Sequence, residues 1–172
     1  MLKKLIILFF AIAPLAAVAQ NVKLAYINTQ EVFNAMPELS GIETQLNTKQ
    51  TEIQKNAQAL ETEYTKKLEE FTKLAESTTT SEAVKQDKQK ELGQLQERYQ
   101  QFAQTSQQEF NELRQKLLEP VNKKIGDAIK AVGDEKGYAF VFDVATMNSP
   151  IVYVNNSSEN ITAAVKTKLG IK

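Results

Sequence analysis

Histidine, cysteine and tryptophan are absent from the chain. Their absence excludes disulfides, thiol nucleophiles, Cys/His zinc sites and histidine-based proton transfer in one step. Covalent chemistry would then fall to carboxylates. Asp127, Asp134 and Asp143 are the only aspartates outside the region Glu38 to Glu119. A catalytic pair needs two carboxylates converging in a cleft, and nothing in the spacing of these three brings two together. Solvated or capping roles are expected for them. No run resembles a calcium loop, so no metal, cofactor or enzymatic activity is expected. Lysine plus arginine and aspartate plus glutamate number 21 each. Without a basic stripe that balance offers no argument for nucleic acid.

The residues left to act are apolar ones at regular spacing. From Leu39 they recur as Ile42, Leu46, Ile53, Leu60, Tyr64, Leu68 and Phe71. After the Ser/Thr run 77–81 they resume as Val84, Leu92, Leu95, Tyr99, Phe102, Phe110, Leu113 and Leu117. Steps of three, four and seven describe two long amphipathic helices, and a five-residue polar break folds them back on each other. An antiparallel hairpin over residues 38–119 follows, with Leu39, Leu46, Ile53, Leu60, Leu92, Leu95, Tyr99 and Phe102 as its seam. Arms of roughly 40 residues would reach about 60 Å. Phe71, Leu74 and Phe110, near the tip or off the seam, are candidate contacts for a bound partner. Gly93 and Pro120 fall inside the second arm, as a weak point and as a kink or restart respectively.

Short elements must hold this hairpin. Lys3 and Lys4 followed by the apolar run Leu5 to Ala13, Pro14 and Ala17-Val18-Ala19 form an export signal, with cleavage expected between Ala19 and Gln20. The segment is too short for a comfortable membrane span, so residues 1–19 are expected to be removed and the remainder to reach a periplasm. Lys23–Asn28 reads as a strand, and Asn28-Thr29-Gln30-Glu31 as a capping box opening a helix that ends near Ala35. Thr79-Thr80-Ser81-Glu82 is a second capping-box pattern, at the start of the second arm. Beyond Pro120 a helical face runs through Val121, Ile125, Ala128, Ile129 and Val132 until Gly133 and Gly137 stop it. Tyr138–Val144 and Ile151–Val154 then read as strands joined by the turn formers of 146–150, making a β-hairpin. Asn160 is placed to cap a last helix, Ile161 to Leu169.

The class is α+β, with a long α-helical hairpin inserted in a small β body formed by residues 22–37 and 120–172. The first strand has no neighbour in sequence and must pair with residues more than a hundred positions on. Its partner strand is apolar on both faces, and so few elements cannot cover both. Association of several copies is expected, with Leu24, Tyr26, Phe140, Phe142, Ile151 and Tyr153 at the interface.

Leu24-Ala25-Tyr26-Ile27-Asn28 with Glu31-Val32-Phe33 resembles the opening of the Skp/OmpH-like periplasmic chaperones. Glu119-Pro120-Val121 through Gly137-Tyr138-Ala139-Phe140-Val141-Phe142-Asp143, then Val152-Tyr153-Val154 and Asn160-Ile161-Thr162, resemble its later part. The resemblance implies a homotrimer with a β-barrel core and three helical tentacles. Unfolded outer-membrane proteins would be held between the tentacles without nucleotide or metal, and the membrane would be met only indirectly. Some members are strongly basic. Here the region 38–119 has 15 acidic and 11 basic residues, so capture by positive charge, or of lipopolysaccharide, is weakly supported. A structural coiled-coil hairpin adaptor of the envelope is the other reading, though it would be expected to have larger flanking β domains.

Overall fold

The computed structural model describes residues 22–145, 149, 151–155 and 158–171. The expected export signal, with Ala19 and Gln20, lies outside the described residues, as does most of the expected turn at 146–150. The element order is β1 (Leu24–Ile27), α1 (Thr29–Asn34), α2 (Glu38–Glu76), α3 (Glu82–Lys136), β2 (Phe140–Asp143), β3 (Glu159–Asn160) and α4 (Thr162–Lys168). The chain divides into two compact units. One runs up to Val32 and resumes at Ile125; the other is Phe33–Lys124.

In the first unit β1 is the central strand of a three-stranded sheet in the order β2-β1-β3. Both pairings are parallel, with Leu24 opposite Phe140, Tyr26 opposite Phe142, and Ala25 opposite Glu159. The expected β-hairpin is therefore overturned. Ile151–Val154 forms no strand, and the third strand is the polar pair Glu159-Asn160. Apolar content misled here, because a two-residue strand rests on backbone groups and polar side chains rather than on an apolar run. Ile161 N donates to Tyr26 O at 2.9 Å. Asn160 Oδ1 accepts from both the amide and the hydroxyl of Thr162, and that hydroxyl in turn accepts from Asn28 N at 3.0 Å.

The same network splits the expected capping box. Asn28 Oδ1 does accept from Glu31 N at 3.0 Å. Glu31, however, does not reach back to Asn28 N, which is already satisfied by Thr162; its carboxylate pairs with Lys166 at 2.7 Å. The side chain that holds the first turn of α1 from outside is Asp143, at the end of β2. Its carboxylate accepts from Thr29 N at 3.2 Å and from the Thr29 hydroxyl at 2.5 Å, while Ala145 N donates to it at 3.0 Å.

Glycine stops two helices by the same device. Gly137 follows α3 with φ +69° and Gly170 follows α4 with φ +72°. Tyr138 N donates to Gly133 O, and Ile171 N to Lys166 O, each at 3.0 Å. These bonds satisfy the last carbonyls as left-handed glycine caps do. Gly133 is thus an interior residue of α3 and not a stop. The Ala25, Ile27 face of the sheet is buried, and Val32, Ala128, Val132, Ile161 and Val165 are the other fully covered apolar side chains of this unit.

In the second unit α2 and α3 form the expected hairpin, joined through residues 77–81. Ion pairs and hydrogen bonds give the antiparallel register: Glu38 with Lys124, Lys49 with Glu109 at 2.9 Å, Glu63 with Arg98 at 3.4 Å and Lys67 with Glu91 at 2.8 Å. Each step outward along α2 is matched by a step back along α3. The cap of α3 is Ser81, whose hydroxyl accepts from Val84 N at 3.4 Å, instead of Thr79. Helix α3 does not restart at Pro120. The ring removes one amide donor, but its fixed φ is itself helical and a long helix tolerates one lost bond.

Partial burial pushes the Asp143 carboxyl upward. Hydrogen bonds from the Thr29 hydroxyl and from the Ala145 and Thr29 amides outweigh it and hold the group below the ordinary aspartate range. A depressed folded-state value means that the stabilisation is complete above the unfolded value, near ~3.9, and is lost as pH falls through the folded one. Asp143→Asn should cost about 1–2 kcal/mol at neutral pH. Urea midpoints of the two proteins should converge as pH drops below about 4.

Candidate functional site

Two surfaces stand out, one in each unit. In the sheet, strand alternation puts Leu24, Tyr26, Phe140 and Phe142 on the face opposite Ala25 and Ile27. Parallel register sets Leu24 beside Phe140 and Tyr26 beside Phe142. The two phenylalanine rings stack with centroids 6.2 Å apart and planes 25° from parallel. Phe140 is 61% exposed, Leu24 44% and Phe142 38%, whereas Tyr26 is half-buried. Four large apolar side chains on one small face form a contiguous patch of the kind that marks an interaction site. Ile151 is half-buried, while Val152 and Tyr153 are 98% and 80% exposed, the extreme for apolar residues among those described.

Polar pairs brace this sheet. Lys136 pairs with Glu159, and Lys168 with Glu135. The Lys136 ammonium, with the Tyr138 hydroxyl second, holds Glu159 below the usual carboxylate range. Burial, aided by Glu159, pushes Tyr138 up.

The hairpin carries the second surface. Leu60, Leu92 and Leu95 are buried on its seam, as is Ile42, which the expected seam set omitted; Leu39, Leu46, Ile53 and Phe102 are half-covered. Tyr99 is 46% exposed and borders a shallow groove with Leu60, Tyr64 and Leu95. Gln96 Nε2 donates to Tyr64 Oη at 2.9 Å beside it. Across the seam Leu60, Ala59 and Phe102 meet Asn56, Glu63 and Arg98 in a second groove. Ser106, a polar residue no hydrophobic pattern would select, is buried between these levels and the base. Phe71, Leu74 and Phe110 are half-buried, while Leu68 and Val84 expose more apolar surface. No signal in the sequence separates these two pairs of roles, because all lie on the same helical stripes.

Outward from the seam the helices differ. Thr44, Thr48, Thr51, Thr62, Thr65 and Thr72 of α2 each donate a hydroxyl to the carbonyl four residues back, at 2.8–2.9 Å. This bonding satisfies the hydroxyls locally and turns methyl groups to solvent. On α3 the outward positions are mostly amides. Among the described residues no group of three or more His, Cys, Asp or Glu could hold a metal ion, and no helix is long and apolar enough to cross a membrane.

Residues 23–169 match the family described as outer membrane protein (OmpH-like). The chain belongs to the OmpH-like family. The match runs from the residue before β1 through the residue after α4, so sheet and hairpin belong to one family unit. The fold is similar to the crystal structure of a proposed outer membrane chaperone (OmpH-like) from Caulobacter crescentus CB15. The TM-score is 0.67 at 16% identity, covering 85% of this chain and 82% of that one. No curated protein matches the chain.

Gly93 in α3 is exposed, and a methyl group added there would meet nothing within 4 Å. Gly93→Ala should raise stability by about 1 kcal/mol through helix propensity. The thermal midpoint of the purified variant checks this; a lower midpoint would show that the glycine is needed for bending.

Proposed function

We propose that this OmpH-like protein is a periplasmic, ATP-independent holdase. It works as a homotrimer whose sheets close into a β-barrel core, and whose helical hairpins enclose unfolded outer-membrane proteins and keep them from aggregating. The observation that supports this reading most is the uncovered face of Leu24, Tyr26, Phe140 and Phe142 in a chain of this family. Burying Phe140 and Phe142 against other copies would remove a large apolar patch from water, at roughly 25 cal/mol per Å². It would also protect short sheet edges that otherwise invite unwanted pairing. Ile151 and Tyr153 belong to the same interface in this reading. The number three comes from the family resemblance; the need for more than one copy comes from the face itself.

The hairpin fits holding rather than chemistry. Its seam is thin, its grooves are shallow and its ion pairs are exposed, so no group is poised for bond making. Arms with so little buried area flex and adapt to clients of different size. Weak contacts repeated over several arms then give retention without a shaped pocket.

Light scattering of the purified mature chain should give the mass of three copies. Phe140→Glu with Phe142→Glu should release monomers that keep their helical circular dichroism. A transmembrane β-barrel diluted from urea should stay clear with one trimer per client and no nucleotide; unchanged turbidity would sink the holdase reading.

A further inference from the structure

The face of α3 opposite the seam is unlike an ordinary solvated helix surface. Leu92, Ser106 and Leu113 recur at seven-residue multiples on the covered side. The positions two and five residues beyond them point away, and from 94 to 115 they hold Gln94, Gln101, Gln104, Gln108, Asn111 and Gln115, all exposed. Glu97 is the one charged residue among these outward positions, and between Arg98 and Glu109 the chain has no charged residue at all. The charges of this level instead sit beside the seam, where Arg98 pairs with Glu63 and Glu109 with Lys49. A solvated face built from Lys and Glu would be the usual arrangement for such a helix. The amide stripe extends about 30 Å, the length of about nine residues of extended chain.

A carboxamide has the donors and the acceptor of a peptide group side by side. Nucleic acid or an anionic lipid surface would require cations on this face, and it has none in this span. A sugar site would require aromatic platforms, and the outward positions have no aromatic. An unfolded polypeptide, by contrast, presents unpaired N–H and C=O groups along its length, and these must find partners. Gln108 Nε2 donates to Glu112 at 2.8 Å, and Gln107 Nε2 to Asn111 Oδ1 at 3.3 Å. Those bonds show the side chains lying along the helix axis, where a parallel extended strand would meet them.

We propose that the outward amide stripe of α3, centred on Gln101, Gln104 and Gln108, is the client-binding surface, and that it recognises the backbone of an extended, unfolded polypeptide by hydrogen bonds rather than by charge. This rests on the holdase reading and names the chemistry of its contact. Each bond is weak and exchangeable, and the number of repeats retains the client.

The test uses the full mature protein and a fluorescently labelled, urea-unfolded transmembrane β-barrel, read by anisotropy. Wild-type affinity should change less than about threefold between about 50 and about 500 mM salt. Gln101→Glu/Gln104→Glu/Gln108→Glu and the corresponding triple lysine variant should both weaken binding by about tenfold or more. Circular dichroism and light scattering confirm that each keeps its helices and assembly. Thr44→Glu/Thr51→Glu/Thr65→Glu on the outward face of α2 should leave affinity unchanged. Opposite effects of Glu and Lys, a steep salt dependence, unchanged affinity in both variants, or competition by an uncharged polysaccharide would each overturn the assignment. Failure of the wild-type protein to bind the client at all would sink the holdase reading as well; binding that ignores the stripe sinks the stripe alone.

Discussion

The structure depends on one strand having both edges taken. β1 is four residues long, yet it is hydrogen-bonded on one side to β2 and on the other to β3. Both partners arrive from more than a hundred residues away, after the chain has gone out along α2 and back along α3. Loop closure over that distance costs entropy that grows only slowly with length, and two stiff helices shorten the effective loop further. The sheet then supplies fixed points on which the first unit is built. Asp143 sits at the end of β2 and can hold the first turn of α1 only because β2 lies beside β1 in parallel register.

That sheet is half finished. Ala25 and Ile27 are buried, and the alternate residues of the same strands are aromatic or aliphatic and open. A face of this type is stable in isolation only at the cost of exposed apolar surface, and self-association is its simplest physical remedy. The hairpin has the opposite economy. Few of its residues are well buried, its polar pairs are exposed and individually weak, and its outer faces are threonine on one helix and amide on the other. Strong apolar demand in one unit and weak, repeated polar contacts in the other are the division expected of a protein that assembles firmly and binds loosely.

Much of this was legible in the residues. The seven-residue recurrence through Leu39, Leu46, Ile53 and Leu60 is long enough that no strand could satisfy it, so α2 and its return were readable to within a residue or two. Pro37, the Ser/Thr tip and Gly137 punctuated them. The sheet was less legible. Ile151–Val154 has every local property of a strand and forms none, whereas Glu159-Asn160 has none of them and pairs. Short strands are chosen by which backbone edge is free, and that is a property of the assembled chain. Capping failed for the same reason: the partner that satisfies Asn28 N is Thr162, 134 residues away, and no local pattern contains it.

Spacing and composition by themselves determined that the chain has two long paired helices, lacks histidine and thiol chemistry, and returns to a small apolar sheet. Periodicity is a local property, repeated often enough to be unambiguous. Tertiary structure alone decided the parallel order β2-β1-β3, the role of Asp143 as the brace of α1, and which side of the sheet remains open. Each of those depends on what a distant segment leaves unpaired, and that is settled only when the chain has closed.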